Sequence, residues 1–341
     1  MTLPGIDLPA LRKFFDAHVP GAAGKLSLRL LTGGKSNLTY LVTDGAARWV
    51  LRRPPLGVLT PTAHDMAREF RVVAALAGTG VPVAEAVALC EDPDVLGVPF
   101  SVVSYVEGRT LQDGHEAAVL QPEEARRCSI ALVEALTRLH AVPCEEIGLG
   151  DFGRPAGYLN RQLRRWRGQW DRVATRDLPE LTALHDRLAA AVPARSEAAI
   201  VHGDYRLDNT ILDRSDAGRI AAIVDWEMAT LGDPLADLGL LLVYWDPVSE
   251  PVLGARHAPS ANPGFLSPEE LAAAYASASG RSLADLEFYR ALGYFKLAVI
   301  AEGIHQRHLA GETVGEGFDT VGEAVPALVR SGHHTLKAGL A

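Results

Sequence analysis

The sequence is poor in the features that would commit it to an oxidised, membrane-bound or nucleic-acid setting. It has only three cysteines, Cys90, Cys128 and Cys144. They form no C-x-x-C pair, so neither a disulfide framework nor a zinc knuckle is expected, and a reducing cytoplasm fits best. No long Lys/Arg run offsets the formal net charge of -9. Affinity for a phosphate backbone needs a basic surface, so nucleic acid is not an expected partner. The longest strongly apolar run, residues 238–245, falls far short of the roughly 20 residues that cross a bilayer. Residues 1–18 carry scattered charges and lack an apolar core of signal-peptide length. Neither a targeting segment nor a membrane partner is expected.

What is present is enough apolar material for a large core or two lobes, 48% of 341 residues. Residues 7–18 can place Leu8, Leu11, Phe14 and Phe15 on one helical face. β-type runs follow at 26–31, 37–43 and 48–53. The first two are separated by the glycine-rich hairpin Thr32-Gly33-Gly34-Lys35-Ser36, and the third is stopped by Pro54-Pro55. Thr60 or Thr62 can cap a helix running to about Ala77, with Met66, Phe70, Val73 and Ala77 as its buried stripe and Glu69 beside it. Strands at 86–90 and 99–105 complete a β-rich first part, and Glu107-Gly108-Arg109 marks the change.

The later chain reads as helices at 122–140, with Ile130, Val133, Leu136 and Leu139 at helical spacing, and at 156–174, 180–192, 268–279 and 284–309. Another lies near the C-terminus. Asp233 as N-cap with Pro234 at the first helical position starts a further one. The β signal of this half is confined to 199–201, 210–212 and 220–224. The expected architecture is therefore α+β: a β-rich N-lobe over residues 1–106 and a mostly helical C-lobe over 107–341.

Chemistry concentrates in two stretches. His202-Gly203-Asp204 is followed five residues later by Asn209, and Asp225 ends the next apolar strand. Singly, Asp204, Asp208 and Asn209 read as turn formers and Asp225 as a strand-end residue. Together their spacing suits phosphoryl transfer, in which a protein mainly positions groups and neutralises charge. Glu227 either joins this acidic group or lies on the surface. Gly34-Lys35-Ser36 mimics the end of a Walker A motif, but Arg29 stands where that motif needs glycine and no strand-loop-helix order follows. As a hairpin it can offer Ser36 and backbone N–H groups to phosphates.

His202-Gly203-Asp204 with Asn209, then Ile223-Val224-Asp225, resembles the signature of the aminoglycoside phosphotransferase and choline kinase group, which is similar in fold to the eukaryotic protein kinases. The stretches at 33–37, 50–55, 136–143, 232–238 and 295–297 look most like the phosphotransferase-type domain fused to some acyl-CoA dehydrogenases, here expected to stand alone. The resemblance implies a bilobal protein-kinase-like fold with the site between the lobes. In it, Asp204 acts as the base toward a substrate hydroxyl, and Asn209 and Asp225 hold Mg²⁺ against ATP. Arg52 stands where kinases carry a phosphate-contacting lysine paired to a helix glutamate, here Glu69. Tyr105 and Val106 belong to a hinge that meets the adenine.

On the same resemblance, His202 and Asp237 brace the catalytic loop. Trp166 and Trp170 among Arg161, Arg164, Arg165 and Arg167 read either as a packed amphipathic helix or as a face for a coenzyme A moiety. The implied activity is an ATP and Mg²⁺ dependent phosphotransferase acting on a hydroxylated small molecule, a hydroxyacyl-CoA or related hydroxy acid. An aminoglycoside kinase or a catalytically silent nucleotide-binding module are the alternatives. The sequence leaves the oligomeric state open.

Overall fold

In a computed structural model, residues 3–31, 37–56, 64–111, 120–253, 259–313 and 317–338 are described. The chain divides into two compact units, Met1–Glu107 with Ala221–Ala229, and Gly108–Ile220 with Thr230–Ala341. A reading along the chain places the 221–229 segment with the later part; in the structure it clusters with the first unit.

The first unit opens with α1 (Leu8–His18), capped by the Asp7 carboxylate on the Ala10 N–H, and follows it with β1 (Ser27–Leu30), β2 (Leu38–Thr43) and β3 (Arg48–Arg53). After α2 (Met66–Leu76) come β4 (Ala86–Cys90), a short α3 (Pro93–Leu96) and β5 (Phe100–Ser104). The five strands form an antiparallel sheet in the order β1-β2-β3-β5-β4. Leu11, Phe14 and Phe15 of α1 pack against Tyr40, Val42, Trp49, Leu51, Phe100 and Val102. Leu8, expected on that face, is exposed.

The α2 cap is Asp65, whose carboxylate accepts from the Arg68 N–H. Thr60 and Thr62 lie outside the described residues. The buried stripe of α2 is Met66, Glu69, Val72, Val73 and Leu76. Phe70 is half-buried and Ala77 exposed; helical spacing from Met66 allows either Glu69 or Phe70 on the buried face, and Glu69 takes it by turning to the Arg52 guanidinium. Glu69 is thereby inside rather than beside the stripe.

In the second unit, α4 (Pro122–Ala141), α5 (Tyr158–Val173) and α6 (Pro179–Ala190) precede β6 (Ala199–Val201), the 3-10 turn Leu207–Asn209, and β7 (Thr210–Leu212). The chain then passes through β8 (Ile220–Ile223) to β9 (Thr230–Gly232), α7 (Pro234–Tyr244), α8 (Glu250–Leu253), α9 (Pro268–Ser279), α10 (Leu286–Leu309) and α11 (Val321–Ala338). β9 is absent from the sequence expectation. It pairs antiparallel with β6, with Ile200 opposite Leu231. Ile130 of α4 is exposed, and Cys128, Leu132, Leu136 and Leu139 carry the buried stripe.

α7 and most of α10 are buried on all sides, as helices apolar around their whole circumference must be. They approach closely at Gly239, where a Cβ would stand 2.6 Å from the Tyr289 backbone. Asp233 caps α7 through the Leu235 N–H at 3.0 Å and accepts from the Tyr289 hydroxyl at 2.8 Å. Among the described residues, no helix is long and apolar enough to cross a membrane.

Candidate active site

Strand alternation sends Arg52 and Arg53 to opposite faces of the first unit's sheet. Arg53 turns into the interior, donating to the Gly5 and Pro54 carbonyls. Arg52 turns to α2, with Nη1 2.6 Å from Glu69 Oε1 and Nη2 2.7 Å from Asp225 Oδ1. Glu227 Oε2 stands 4.0 Å from the same guanidinium. Burial opposes the Arg52 charge, but the Glu69 and Asp225 carboxylates outweigh it and raise its pKa. Burial pushes the Glu69 carboxyl above the usual carboxylate range, Arg52 opposing and the two nearby acids adding to the rise.

Asp225 leaves β8 with φ +67°, a left-handed conformation that aspartate tolerates better than most residues. Glu227, left open by the sequence, joins the group: its Oε2 accepts from Asn37 Nδ2 at 3.1 Å, and Asn37 Oδ1 meets His64 Nδ1 at 2.7 Å. Tyr105 extends the sheet through its N–H to the Arg48 carbonyl at 3.2 Å, its ring lying under the Arg48 guanidinium, and Val106 follows half-buried. Ser36 and the glycine hairpin lie outside the described residues.

The second unit holds the other stretch. Asp237, fully buried in the first turn of α7, accepts the His202 and Gly203 N–H groups at 2.6 and 2.8 Å. Its other neighbour is His140, with Nε2 at 3.3 Å, which itself meets the Tyr275 hydroxyl at 2.7 Å. Burial works against the Asp237 charge, and the hydrogen bond and charge of His140, with His202 and Gly203, more than offset it, so the carboxyl sits below its ordinary value.

The 3-10 turn brings Asn209 back on Asp204. Asn209 Nδ2 donates to the Asp204 carbonyl at 2.8 Å and to Oδ2 at 3.1 Å, while the Tyr244 hydroxyl donates to Oδ1 at 2.5 Å. Arg206 Nε lies 3.5 Å from Asp204 Oδ2, its Nη2 3.1 Å from Asp208, and its guanidinium over the Tyr244 ring. Burial raises the Asp204 carboxyl, but Arg206, Lys296 and the Tyr244 hydroxyl prevail and hold it below its usual range. At neutral pH this is a carboxylate with both oxygens oriented.

The structure thus gathers Arg52, Glu69, Asp225 and Glu227 in the first unit, and Asp204 and Asn209 in the second. Asp225 Oδ1 is taken by Arg52 and the Asn209 amide nitrogen by Asp204, which leaves Asp225 Oδ2 and Asn209 Oδ1 as the oxygen donors of the two side chains. Each is a hard oxygen donor of the kind Mg²⁺ takes. Among the described residues, no three His, Cys, Asp or Glu side chains form a metal cage.

Sequence reasoning missed Tyr244, hidden in an apolar run, and His64, and it named Asn37 only within the resembling stretch 33–37. It noted Lys296 only within a three-residue resemblance. A lone cation in the apolar stretch of α10 is the signal that marks it.

The model of a phosphotransferase enzyme family matches residues 27–292. Acyl-CoA dehydrogenase family member 11 of Gallus gallus is 36% identical over 340 residues, covering 96% of this chain and 43% of that protein. The chain therefore spans less than half the length of such relatives. A Ralstonia eutropha protein solved as a candidate aminoglycoside phosphotransferase is 32% identical, with a TM-score of 0.84 over 97% of this chain and 98% of its own. A complex of an aminoglycoside 2''-phosphotransferase with GDP and kanamycin shares the fold at 18% identity, with a TM-score of 0.64 over 95% and 98%. The β-rich N-lobe and helical C-lobe expected from the sequence are those of this kinase-like fold.

Proposed function

The chain belongs to the phosphotransferase enzyme family, and on that footing we propose that it transfers the γ-phosphoryl group of ATP to the hydroxyl of a small molecule. The observation that carries this reading is the Asp204 carboxylate, kept ionised and held on both oxygens by Tyr244 and Asn209. A base so oriented accepts the proton of the attacking hydroxyl as its oxygen bonds to phosphorus and the bond to the β-phosphate oxygen breaks. Arg52, buried and charged, is the phosphate-facing cation, and Glu69 fixes its guanidinium. Asn209 Oδ1 and Asp225 Oδ2 are the proposed holders of Mg²⁺. When bound, the ion neutralises charge on the phosphate oxygens. Ser36 is proposed to donate a hydrogen bond to the ATP phosphates, and Tyr105 and Val106 are proposed as the backbone that meets the adenine.

For the acceptor we propose a hydroxyacyl-CoA or a related hydroxy acid. The relatives' names support this. A catalytically silent module would have no use for a carboxylate held in this way.

The test is ADP release from ATP and Mg²⁺ with a panel of hydroxy acids, hydroxyacyl-CoA thioesters and aminoglycosides. Acceptor-dependent release that disappears in Asp204→Asn is expected. Failure of every acceptor, together with turnover unaltered in that variant, removes the assignment.

A further inference from the structure

Gly203 is the pivot from which Asp204 projects. Its φ of +81° lies in the left-handed region, where glycine alone is at ease, and a residue so free to rotate needs its peptide planes held from outside. Both are held. The plane before Gly203 is fixed through its N–H to Asp237 on α7 at 2.8 Å. The plane after it has its N–H, that of Asp204, on His202 Nδ1 at 3.3 Å, and its carbonyl on the ammonium of Lys296 from α10.

Lys296 is buried, with Nζ 5.3 Å from the centre of the Trp166 ring. An ammonium in the interior is costly, and an apolar side chain of similar length would fill the same space on an otherwise apolar stretch of helix. Packing therefore does not account for the charge. What the charge does is hold one carbonyl, the one adjoining the proposed base.

We propose that Lys296 is a positioning residue for Asp204, its ammonium fixing the Gly203 carbonyl and so the peptide plane from which the carboxylate is aimed at the acceptor hydroxyl. This rests on the reading of Asp204 as the base. The groups facing the ammonium are Asp204 and Arg206 on the loop, Asp237 on α7 and Arg165 on α5. The two carboxylates favour its charge and the two arginines oppose it. Asp204 is thus served twice, through the backbone and through the field of the cation. Misplacing a reacting group by about 1 Å costs on the order of a hundredfold in rate, so a clamp on one peptide plane is enough to matter.

The experiment uses the full chain with Lys296→Met, Lys296→Arg and Asp204→Asn. ATP hydrolysis to water in the presence of Mg²⁺ is followed, which needs no identified acceptor, alongside hydrogen exchange of the Gly203 and Asp204 amides. In Lys296→Met, kcat is expected to fall about 30-fold while KM for ATP changes less than about threefold, the split that marks a group serving the transition state. Exchange of the two loop amides should quicken about tenfold with that of α7 unchanged, the mark of local rather than global loosening. Lys296→Arg, which keeps the charge and a donor, should recover part of both.

The proposal is overturned if Lys296→Met keeps wild-type kcat, or if exchange quickens throughout α7 and α10, which would make Lys296 a packing residue. Asp204→Asn separates the two readings. Unaltered turnover in that variant removes the base assignment, while the loop exchange in Lys296→Met decides the clamp by itself.

Discussion

The phenol of Tyr244 donates to Oδ1 of Asp204 at 2.5 Å, joining the last residue of α7 to a carboxylate forty residues earlier in the chain. A hydrogen bond to a charged group contributes about 1.5–3 kcal/mol. Tyr244→Phe keeps the ring against Arg206 and removes only the donor. Its turnover is expected to fall about tenfold or more, at about 1.4 kcal/mol per factor of ten. Nucleotide affinity measured by calorimetry should stay unchanged, since the hydroxyl serves the carboxylate.

Arg52 and Glu69 are a buried pair, and removing one partner strands the other. Arg52→Ala is expected to lose about 3–5 kcal/mol in urea unfolding at pH 7. Arg52→Ala with Glu69→Gln should recover most of it, because the stranded charge is gone. Burial already raises the Glu69 pKa, so in the single variant the folded form takes up a proton that the unfolded chain at the same pH does not. Stability is then lost as pH rises through the folded pKa. The deficit of Arg52→Ala should therefore shrink toward pH 5.

Removal of the metal ligands should be visible without turnover. ATP with Mg²⁺ is expected to raise the melting temperature of the wild type more than ATP with EDTA does, the increment following ligand concentration over Kd. Asn209→Ala and Asp225→Asn should each abolish the difference between the two conditions. If the increment persists in both, the proposed donors are wrong.

Burial lowers the Lys296 pKa from 10.5 to about 8, Asp204 and Asp237 opposing the fall. Between these values the unfolded chain binds the extra proton, so wild-type stability rises with pH across that window, and the burden of the buried ammonium is complete below pH 8. The full effect is about 3 kcal/mol, at about 1.4 kcal/mol for each tenfold in proton affinity. Lys296→Met lacks this titration. Its stability relative to wild type is expected to decline from pH 7.5 to pH 10 in paired urea unfolding curves, and a constant difference would refute the buried charge.

Sequence and structure agree where the signal is local. Asp204 and Asn209 meet because the 3-10 turn Leu207–Asn209 folds the chain back within five residues, and Asp233-Pro234 starts α7 because cap and proline act within the first turn of the helix. The alternation of β3 already separates Arg52 from Arg53, a distinction available to any two-residue period. What could not be read depends on distant partners. β9 has three residues and exists through β6, thirty positions earlier. Tyr244 and Lys296 lie in apolar helices whose patterns announce burial and say nothing of which loop lies alongside. The stripe of α2 differs from the expected one for a related reason: hydrophobicity ranks Phe70 above Glu69, and only the neighbouring guanidinium reverses the order.

The first unit is not one stretch of chain. Its sheet and α2 are complete by Glu107, but Asp225, which shares Arg52 with Glu69, and the Ile223 N–H that pairs with the Pro82 carbonyl arrive with Ala221–Ala229. At about 5–20 residues per second, a ribosome needs on the order of ten seconds to bridge that interval. During that time the nascent sheet carries Arg52 with a single carboxylate partner and the Pro82 carbonyl without the Ile223 N–H. The last contacts of the first-made lobe thus close a loop longer than the lobe itself, which makes its completion a slow step of biogenesis and the interval before it the stretch in which a chaperone or a protease meets the chain.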